Sequence, residues 1–213
     1  MSFDPASVRA VLFDLDGVLV HSYEVWFHAM NDVARRLGAA PISRAAFAES
    51  WGQGVVADVE RFFPTVTAQE LVRLYDEAFP ARLDHLEVAP EAPAVFAALR
   101  RAGLALAVIT NTPAALARDL VARAGVAPDV LVGGTDVPRP KPAPDMVLLA
   151  CERLGVAPAA ALVVGDSKHD LAAARAAGCP FAGVGIEGDL RIERMHELLA
   201  QLRLADACDP SSR

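Results

Sequence analysis

Short apolar runs recur along the chain, and Ala-rich stretches with helical spacing separate most of them. The first run leads into AVLFDLDG (10 to 17), and the others follow after residue 90. Strands that alternate with helices are typical of parallel α/β units. The predicted strands cover about 8 to 14, 104 to 110, 129 to 134, 161 to 166 and 181 to 186. We expect them to form one parallel sheet flanked by helices.

Turn and capping residues mark the helices of this second part. Thr112 followed by Pro113 predicts an N-cap and a first helical residue. The predicted helices cover 114 to 124, 143 to 154 and 168 to 177. Each is followed by a glycine where helix C-termini favour one: Gly125, Gly155 and Gly178.

The segment from about 18 to 88 departs from this alternation and is almost entirely helical in pattern. Apolar residues repeat with a helical period from Val25 to Leu37, and Thr67 with Glu70 matches a capping box. Because the first strand lies before this segment and the others after it, we expect a Rossmann-like α/β core (1 to 17 and 90 to 213) with an inserted α-helical cap (18 to 89).

Composition narrows the functional classes. The 213 residues are 54% hydrophobic with a net charge of −7, which argues against a nucleic-acid or membrane-surface binder, since both need a basic surface. No apolar run reaches the roughly 18 residues of a membrane span, and the first ten residues lack a signal-peptide pattern. We expect a cytoplasmic monomer or homodimer. Cys151, Cys179 and Cys208 lack metal-site spacing, which predicts free thiols.

Two aspartates follow the first strand, one residue apart. Side chains two apart on extended backbone point to the same side, so Asp14 and Asp16 can face one site. Two buried carboxylates without a partner are costly, which favours a cation between them. The alternative is that the pair only ends a strand and starts a turn, as Asp often does.

Further polar residues follow other predicted strands, where open α/β sheets place their ligands. Asp166 and Asp170 offer oxygen ligands suited to Mg²⁺, although Asp170 is also a favourable acid in a first helical turn. Thr110 and Asn111 precede a helix start that can hold phosphate. Thr110 can equally be an ordinary strand residue, and Lys141 a solvated loop residue.

Four motifs in this order resemble those of the haloacid dehalogenase-like (HAD) phosphohydrolase superfamily, in its phosphoglycolate phosphatase-like branch. They are DLDGV (14 to 18), VITNT (108 to 112), KPAPD (141 to 145) and GDSKHD (165 to 170). The helical block between the first two motifs is similar to the small cap of that family. The resemblance covers nearly the whole chain.

The resemblance implies a catalytic role for each core motif. Asp14 would be the nucleophile that forms a phosphoaspartate, and Asp16 the general acid and base. Lys141, Thr110 and the main chain of Asn111 would bind the phosphoryl oxygens.

The resemblance also implies a Mg²⁺ site. Asp14, the carbonyl of Asp16 and Asp166 would hold the ion, and Asp170 would either bind it through water or support the other acids.

Several activities of the superfamily fit the chain poorly. Dehalogenases lack the second aspartate, which is present here as Asp16. Phosphonate-cleaving relatives and sugar-phosphate mutases use a cap lysine, and no lysine lies between residues 18 and 90. The sequence therefore favours a Mg²⁺-dependent phosphatase for a small phosphorylated metabolite, either phosphoglycolate-like or a sugar phosphate. The alternatives are a mutase and a non-catalytic phosphometabolite-binding regulatory protein.

The best substrate contacts in the cap are Trp51, Gly52 and Gln53, within SWGQG (50 to 54). The alternative is an ordinary turn with Trp51 packed in the cap. Arg44 and Arg61 are further options, as cations for a substrate carboxylate or as solvated surface residues.

Two other features carry less information. His21 stands where the family has an acid, at the hinge between core and cap, which bears on substrate range more than on catalysis. The segment GVGIEG (183 to 188) matches a dinucleotide-binding pattern, but such a site needs a βαβ unit. We expect only one helix after it, at about 189 to 203.

Overall fold

The computed structural model describes residues 4–204; Cys208 lies outside this range, while Cys151 and Cys179 are buried free thiols. The main sheet has six parallel strands. They are β1 (Ala10–Phe13), β4 (Ala105–Ile109), β5 (Val130–Val132), β6 (Ala161–Gly165), β7 (Phe181–Val184) and β8 (Leu190–Ile192). A separate antiparallel pair consists of β2 (Val20–His21) and β3 (Glu87–Val88).

Nine α-helices lie within the described residues. They are α1 (Tyr23–Arg36), α2 (Arg44–Ser50), α3 (Val55–Phe62), α4 (Ala68–Ala78), α5 (Ala92–Arg101), α6 (Ala114–Arg123), α7 (Asp145–Leu154), α8 (Lys168–Ala177) and α9 (Glu197–Gln201). None of those between residues 4 and 204 is long and apolar enough to cross a membrane.

The order of strands across the main sheet is β5-β4-β1-β6-β7-β8. Numbered among themselves along the chain, these strands read 3-2-1-4-5-6, the doubly wound order of Rossmann-like sheets. The predicted fold class is confirmed. Phe13, at the end of β1, pairs with Val108 of β4 and Val164 of β6. The three segments that follow these strands therefore emerge side by side at one edge of the sheet.

The two faces of the sheet bury separate apolar layers. Val11 and Phe13 of β1 lie in one layer with residues of α5, α6 and the inserted helices. Ala10 and Leu12 point to the opposite face, where α7 and α8 pack. This alternation follows from the two-residue period of a strand. It holds β1 rigidly in the middle of the molecule.

Helices α1 to α4 form one inserted bundle above the carboxyl edge of the sheet. The chain leaves the core through β2 and returns through β3, with His21 paired to Glu87. The ring of Trp26 lies 5.2 Å from that of Tyr75 and 4.6 Å from that of Phe79, which joins α1 to α4 and to the turn after it. The predicted capping box of Thr67 and Glu70 is present at the start of α4.

The segment from 18 to 88 is helical apart from its loops and the two-residue strands β2 and β3 at its ends. Two other details of the sequence prediction were wrong. The helix expected at 189 to 203 is instead β8 followed by the short α9, because buried Ile192 and exposed Arg191 alternate with a strand period. Thr112 does not cap α6: the helix begins after Pro113, since the Thr112 hydroxyl is bonded elsewhere.

The glycines of GVGIEG have a structural purpose. A Cβ on Gly183 would lie 2.3 Å from the carbonyl oxygen of Ile186, and one on Gly188 would lie 2.7 Å from that of Phe181. The glycines thus allow the close backbone packing of the turn between β7 and β8.

Candidate active site

A cavity of about 590 Å³, including its mouth open to solvent, lies between the carboxyl edge of the sheet and the inserted helices. All but one of the predicted site residues line it. They are Asp14, Asp16, Thr110, Asn111, Lys141 and Asp166 from the core, and Trp51, Gly52 and Gln53 from the inserted helices. The exception is Asp170, which lies fully buried beneath the others.

Asp14 follows β1 directly and is 6% exposed. Its Oδ1 accepts hydrogen bonds from the Lys141 ammonium at 2.8 Å and from the Leu15 amide at 2.7 Å. Its Oδ2 has no hydrogen-bond partner among residues 4–204. Asp14 therefore has one anchored oxygen and one oxygen free to act on a ligand.

The Lys141 ammonium is held between two acids. Besides Asp14, it donates to Asp170 Oδ1 at 2.5 Å and to the Ile109 carbonyl at 3.1 Å. Burial lowers the pKa of Lys141, but attraction to Asp14 and Asp170 outweighs it and raises the pKa overall. Lys141 is therefore a permanent cation at the floor of the cavity.

Asp170 combines both roles that its position suggests. Its Oδ2 closes a capping box with Ser167 at the start of α8, and its Oδ1 binds Lys141. Because protein donors occupy both oxygens, the geometry favours Asp170 least among the predicted metal ligands. It supports the lysine.

Asp166 also has a carboxylate oxygen without a partner. Its Oδ1 is buried without a hydrogen-bond partner. Burial, followed by repulsion from Asp170, raises its pKa to about 7. Gly17 makes room for it: with φ at +85°, a Cβ there would lie 1.9 Å from Asp166 Oδ2. The carboxylate of Asp166, with its unpaired oxygen, therefore packs directly against the backbone of residue 17, where only a glycine leaves enough room.

The residues present fit a divalent cation. Asp14, Asp166 and Asp170 each offer an oxygen within 4.8 Å of the others, while Lys141 supplies a single positive charge. Burial, followed by repulsion from Asp170, raises the pKa of Asp14 well above its usual value despite Lys141. A hard divalent ion between Asp14 and Asp166 would satisfy the orphaned oxygen and offset the excess negative charge.

Asp16 is half-buried and held by side chains from two parts of the chain. Its Oδ1 accepts from Ser22 and, at 3.2 Å, from the indole of Trp26. Its Oδ2 accepts from Thr112 at 2.7 Å and from Thr110 at 3.1 Å. These donors orient the carboxylate at the cavity wall. The prediction that its carbonyl binds a metal stays a prediction.

Asn111 ties the core to the inserted helices. Its side-chain amide donates to the carbonyls of Gly52 and Lys141, both at 2.8 Å, and its Oδ1 accepts from the Lys141 amide at 2.9 Å. Through Asn111, the segment 51 to 54, which we name the cap loop, is therefore linked to the loop that carries Lys141.

The cavity wall opposite the core contains an acid that sequence reasoning missed. Asp58, on α3, is 8% exposed and accepts from Gln53 Nε2 at 2.6 Å and from the Tyr75 hydroxyl at 2.9 Å. Burial raises the pKa of Asp58 to about 7, although both hydrogen bonds act to lower it. Asp58 lies three residues after Val55 and four before Phe62, so the helical spacing of the apolar residues of α3 was the signal that could have placed it on the inner face. Thr112 was missed as well, because it was interpreted as a cap.

The two arginines considered as cap cations lie outside the cavity lining. Arg44 pairs with Glu24 and stacks over the ring of Phe27 at 4.0 Å. Arg61 pairs with Glu49 at 2.6 Å. Both arginines therefore lie on the solvated surface, which was the alternative to a contact with a substrate carboxylate.

Comparisons with known proteins agree with this geometry. A family model described as haloacid dehalogenase-like hydrolase matches residues 8–178. A plasmid-encoded phosphoglycolate phosphatase of Cupriavidus necator is 36% identical over 221 residues, covering 93% of this chain and 96% of that protein.

Two solved structures are also similar. CbbY from Rhodobacter sphaeroides, solved as a mutant in complex with xylulose-(1,5)bisphosphate, has a TM-score of 0.72 and 27% identity, with 89% of each chain covered. The β-phosphoglucomutase of Clostridium difficile has a TM-score of 0.77 over 93% of this chain and 99% of that one, but its 15% identity shows the fold alone. The motifs, the sheet order and these matches together show that the chain belongs to the haloacid dehalogenase-like hydrolase family.

Proposed function

We propose that this protein is a Mg²⁺-dependent phosphatase that hydrolyses a small phosphorylated metabolite through a phosphoaspartate on Asp14. The observation that carries the proposal is the asymmetry of Asp14. One oxygen is fixed by Lys141 and the Leu15 amide, and the other is free within the cavity. A nucleophilic carboxylate needs this arrangement, because its attack on an anionic phosphoryl group must be offset by nearby positive charge.

In the first step, Asp14 Oδ2 forms a bond to phosphorus while the bond from phosphorus to the ester oxygen breaks. Asp16, as general acid, donates a proton to that oxygen, and the alcohol leaves. In the second step a water attacks the phosphorus, the bond from phosphorus to Asp14 Oδ2 breaks, and Asp16 accepts a proton from the water, which releases phosphate and restores Asp14. Ser22, Trp26 and the two threonines keep Asp16 aimed at the reacting atoms.

Asp14 and Asp166, with the predicted carbonyl of Asp16, would hold the Mg²⁺. When bound, the ion would supply positive charge next to the phosphoryl oxygens. Lys141 supplies positive charge at the floor of the cavity, and Asp170 keeps its ammonium in place. Asn111 and Thr110 adjoin the same region of the cavity and are suited to contact phosphoryl oxygens.

The names of similar proteins support two substrate types. The Cupriavidus necator relative is named for phosphoglycolate, and the Rhodobacter sphaeroides structure contains a sugar bisphosphate. Hydrolysis is favoured over a mutase reaction because none of the cavity-lining residues contributed by α1 to α4 and the cap loop is a lysine. The substrate class is therefore either a phosphoglycolate-like acid or a sugar phosphate.

The test is phosphate release from a panel of phosphorylated acids, sugars and polyols, with Mg²⁺ and with EDTA. We expect turnover that requires Mg²⁺ and is abolished by Asp14→Asn. Asp119→Asn, an exposed acid on α6, is the matched control and should retain full activity. Activity retained by Asp14→Asn would overturn the nucleophile assignment, and activity retained in EDTA would overturn the metal requirement.

A further inference from the structure

The wall of the cavity opposite the catalytic residues has one ionisable acid, Asp58, buried in the inserted helices. Gln53 and Tyr75 each donate to a different oxygen of its carboxylate. All three side chains line the cavity. Their positions are fixed, because Tyr75 is 1% exposed and packs edge-on against Trp26.

Asp58 retains capacity to bind a ligand. A carboxylate has about four acceptor sites, and only two protein donors occupy them here. A hydroxyl group of a substrate can therefore donate to Asp58 without displacing Gln53 or Tyr75. The surrounding wall, with Trp26, Met30 and Val55, is mainly apolar, which strengthens such a bond.

The same wall offers no positive charge to a second anionic group. Among the described residues that line the cavity, Lys141 is the only cation, and its ammonium lies at the core floor between Asp14 and Asp170. Arg44 and Arg61 are paired on the outer surface. A substrate carboxylate in this region would therefore face Asp58 without a neutralising partner, which is costly in a partly desolvated site.

We infer, on the basis of the proposed phosphatase activity, that Asp58 and Gln53 select an uncharged leaving group whose hydroxyl donates to Asp58. The substrates would be polyol or sugar monophosphates, and phosphoglycolate-like acids would be disfavoured. Asp58 would be a specificity-determining residue and would take no part in the chemical step. Asp58 would thus favour a sugar phosphate over a phosphoglycolate-like acid, the two substrate types that the similar proteins leave open.

The test compares substrates that differ only in this group. One pair is 2-hydroxyethyl phosphate and 2-phosphoglycolate; the other is glycerol 3-phosphate and 3-phosphoglycerate. Assays at pH 8 keep Asp58 mainly ionised, since its pKa is about 7. We expect kcat/KM for the hydroxyl compound to exceed that for the acid by at least about tenfold in each pair, because like charges brought together are strongly disfavoured.

Two variants of the cap wall test the assignment to Asp58. Asp58→Asn keeps the size and one acceptor oxygen but removes the charge, and Gln53→Lys adds a cation beside the acid. We expect both to reduce the preference for the hydroxyl compound toward unity, mainly by improving turnover of the acid. Glu60→Gln, an exposed residue on the same helix, should leave the preference unchanged. A preference that persists in both variants would overturn the role of Asp58.

The outcomes separate this inference from the proposed function. No phosphate release from any phosphorylated compound tested, including the ester p-nitrophenyl phosphate and the acyl phosphate acetyl phosphate, would overturn the phosphatase proposal itself. Release in which the acid equals or exceeds the hydroxyl compound would overturn only the inference. A clear preference for 2-aminoethyl phosphate over 2-hydroxyethyl phosphate would also overturn it, because it would mean that Asp58 recognises a cation.

Discussion

Replacing Lys141 with methionine is the sharpest test of how the site is held together. Lys141 is 3% exposed, and its ammonium lies 2.8 Å from Asp14 and 2.5 Å from Asp170. Methionine is an unbranched side chain of similar length but has no charge. The variant thus leaves two buried carboxylates without their cation.

The size of the effect follows from these distances. At an effective dielectric constant of about 20, one unit-charge pair at 2.8 Å is worth about 6 kcal/mol. The variant also removes the cost of burying the ammonium, which offsets much of this energy. Removing one partner of a buried ion pair typically lowers the free energy of unfolding by about 3 to 5 kcal/mol. We expect that loss for Lys141→Met at pH 8, together with loss of catalysis.

The loss should depend on pH in a defined direction. The pKa of Asp14 is already raised by burial and by repulsion from Asp170, and removing Lys141 raises it further. An acid with a raised folded-state pKa destabilises the fold as pH rises above its unfolded pKa. Lowering the pH protonates Asp14 and relieves the repulsion. The gap between wild type and Lys141→Met should therefore be smaller at pH 5 than at pH 8.

Urea unfolding without Mg²⁺ at pH 8 and pH 5 measures this gap. Lys168→Met is the control, since Lys168 is the other lysine of the chain and is exposed on α8. It should change the free energy of unfolding by less than about 0.5 kcal/mol. A loss below about 1 kcal/mol for Lys141→Met at pH 8, or a gap that widens at pH 5, would refute the reasoning.

Three further predictions concern the surroundings of the site. Gly17→Ala forces a Cβ onto Asp166 and should raise the Mg²⁺ concentration for half-maximal activity at least about tenfold. Gly103→Ala is its control and should leave that concentration unchanged, because Gly103 has a similar φ of +79° but open space around it. Asn111→Ala removes the bond to the cap loop, so hydrogen exchange there should become faster while the sheet stays protected. Asp58→Asn should lose less stability than wild type between pH 5 and pH 8, by about 2 to 3 kcal/mol, because only the wild type must ionise a buried acid whose pKa is about 7; equal pH dependence in urea unfolding would contradict this.

Local chemistry made much of the fold predictable. The five predicted strands, the helices between them and the capping box of Thr67 with Glu70 are all present. These features depend on side-chain periodicity and on hydrogen bonds between residues three positions apart, which a sequence displays directly. The parallel direction of the strands also follows from their alternation with helices.

The short edge strand β8 was beyond such reasoning. Its three residues contain little periodic information, and their conformation depends on pairing with β7. The same holds for β2 and β3, whose four residues pair across the whole inserted bundle. Strands this short are stabilised by their partners and not by their own sequence.

By itself, the sequence determined which residues could form the site and in what order: four motifs, each following a strand or lying in the loop after one. Only the tertiary structure decided their partners. In the folded chain, Asp170 forms an ion pair with Lys141, and the hydroxyl of Thr112 donates to Asp16 and does not cap a helix. Asp58 faces the cavity, whereas Arg61 of the same helix forms its ion pair on the outer surface. The physical reason is distance along the chain, because a contact across many residues depends on packing that no local pattern encodes.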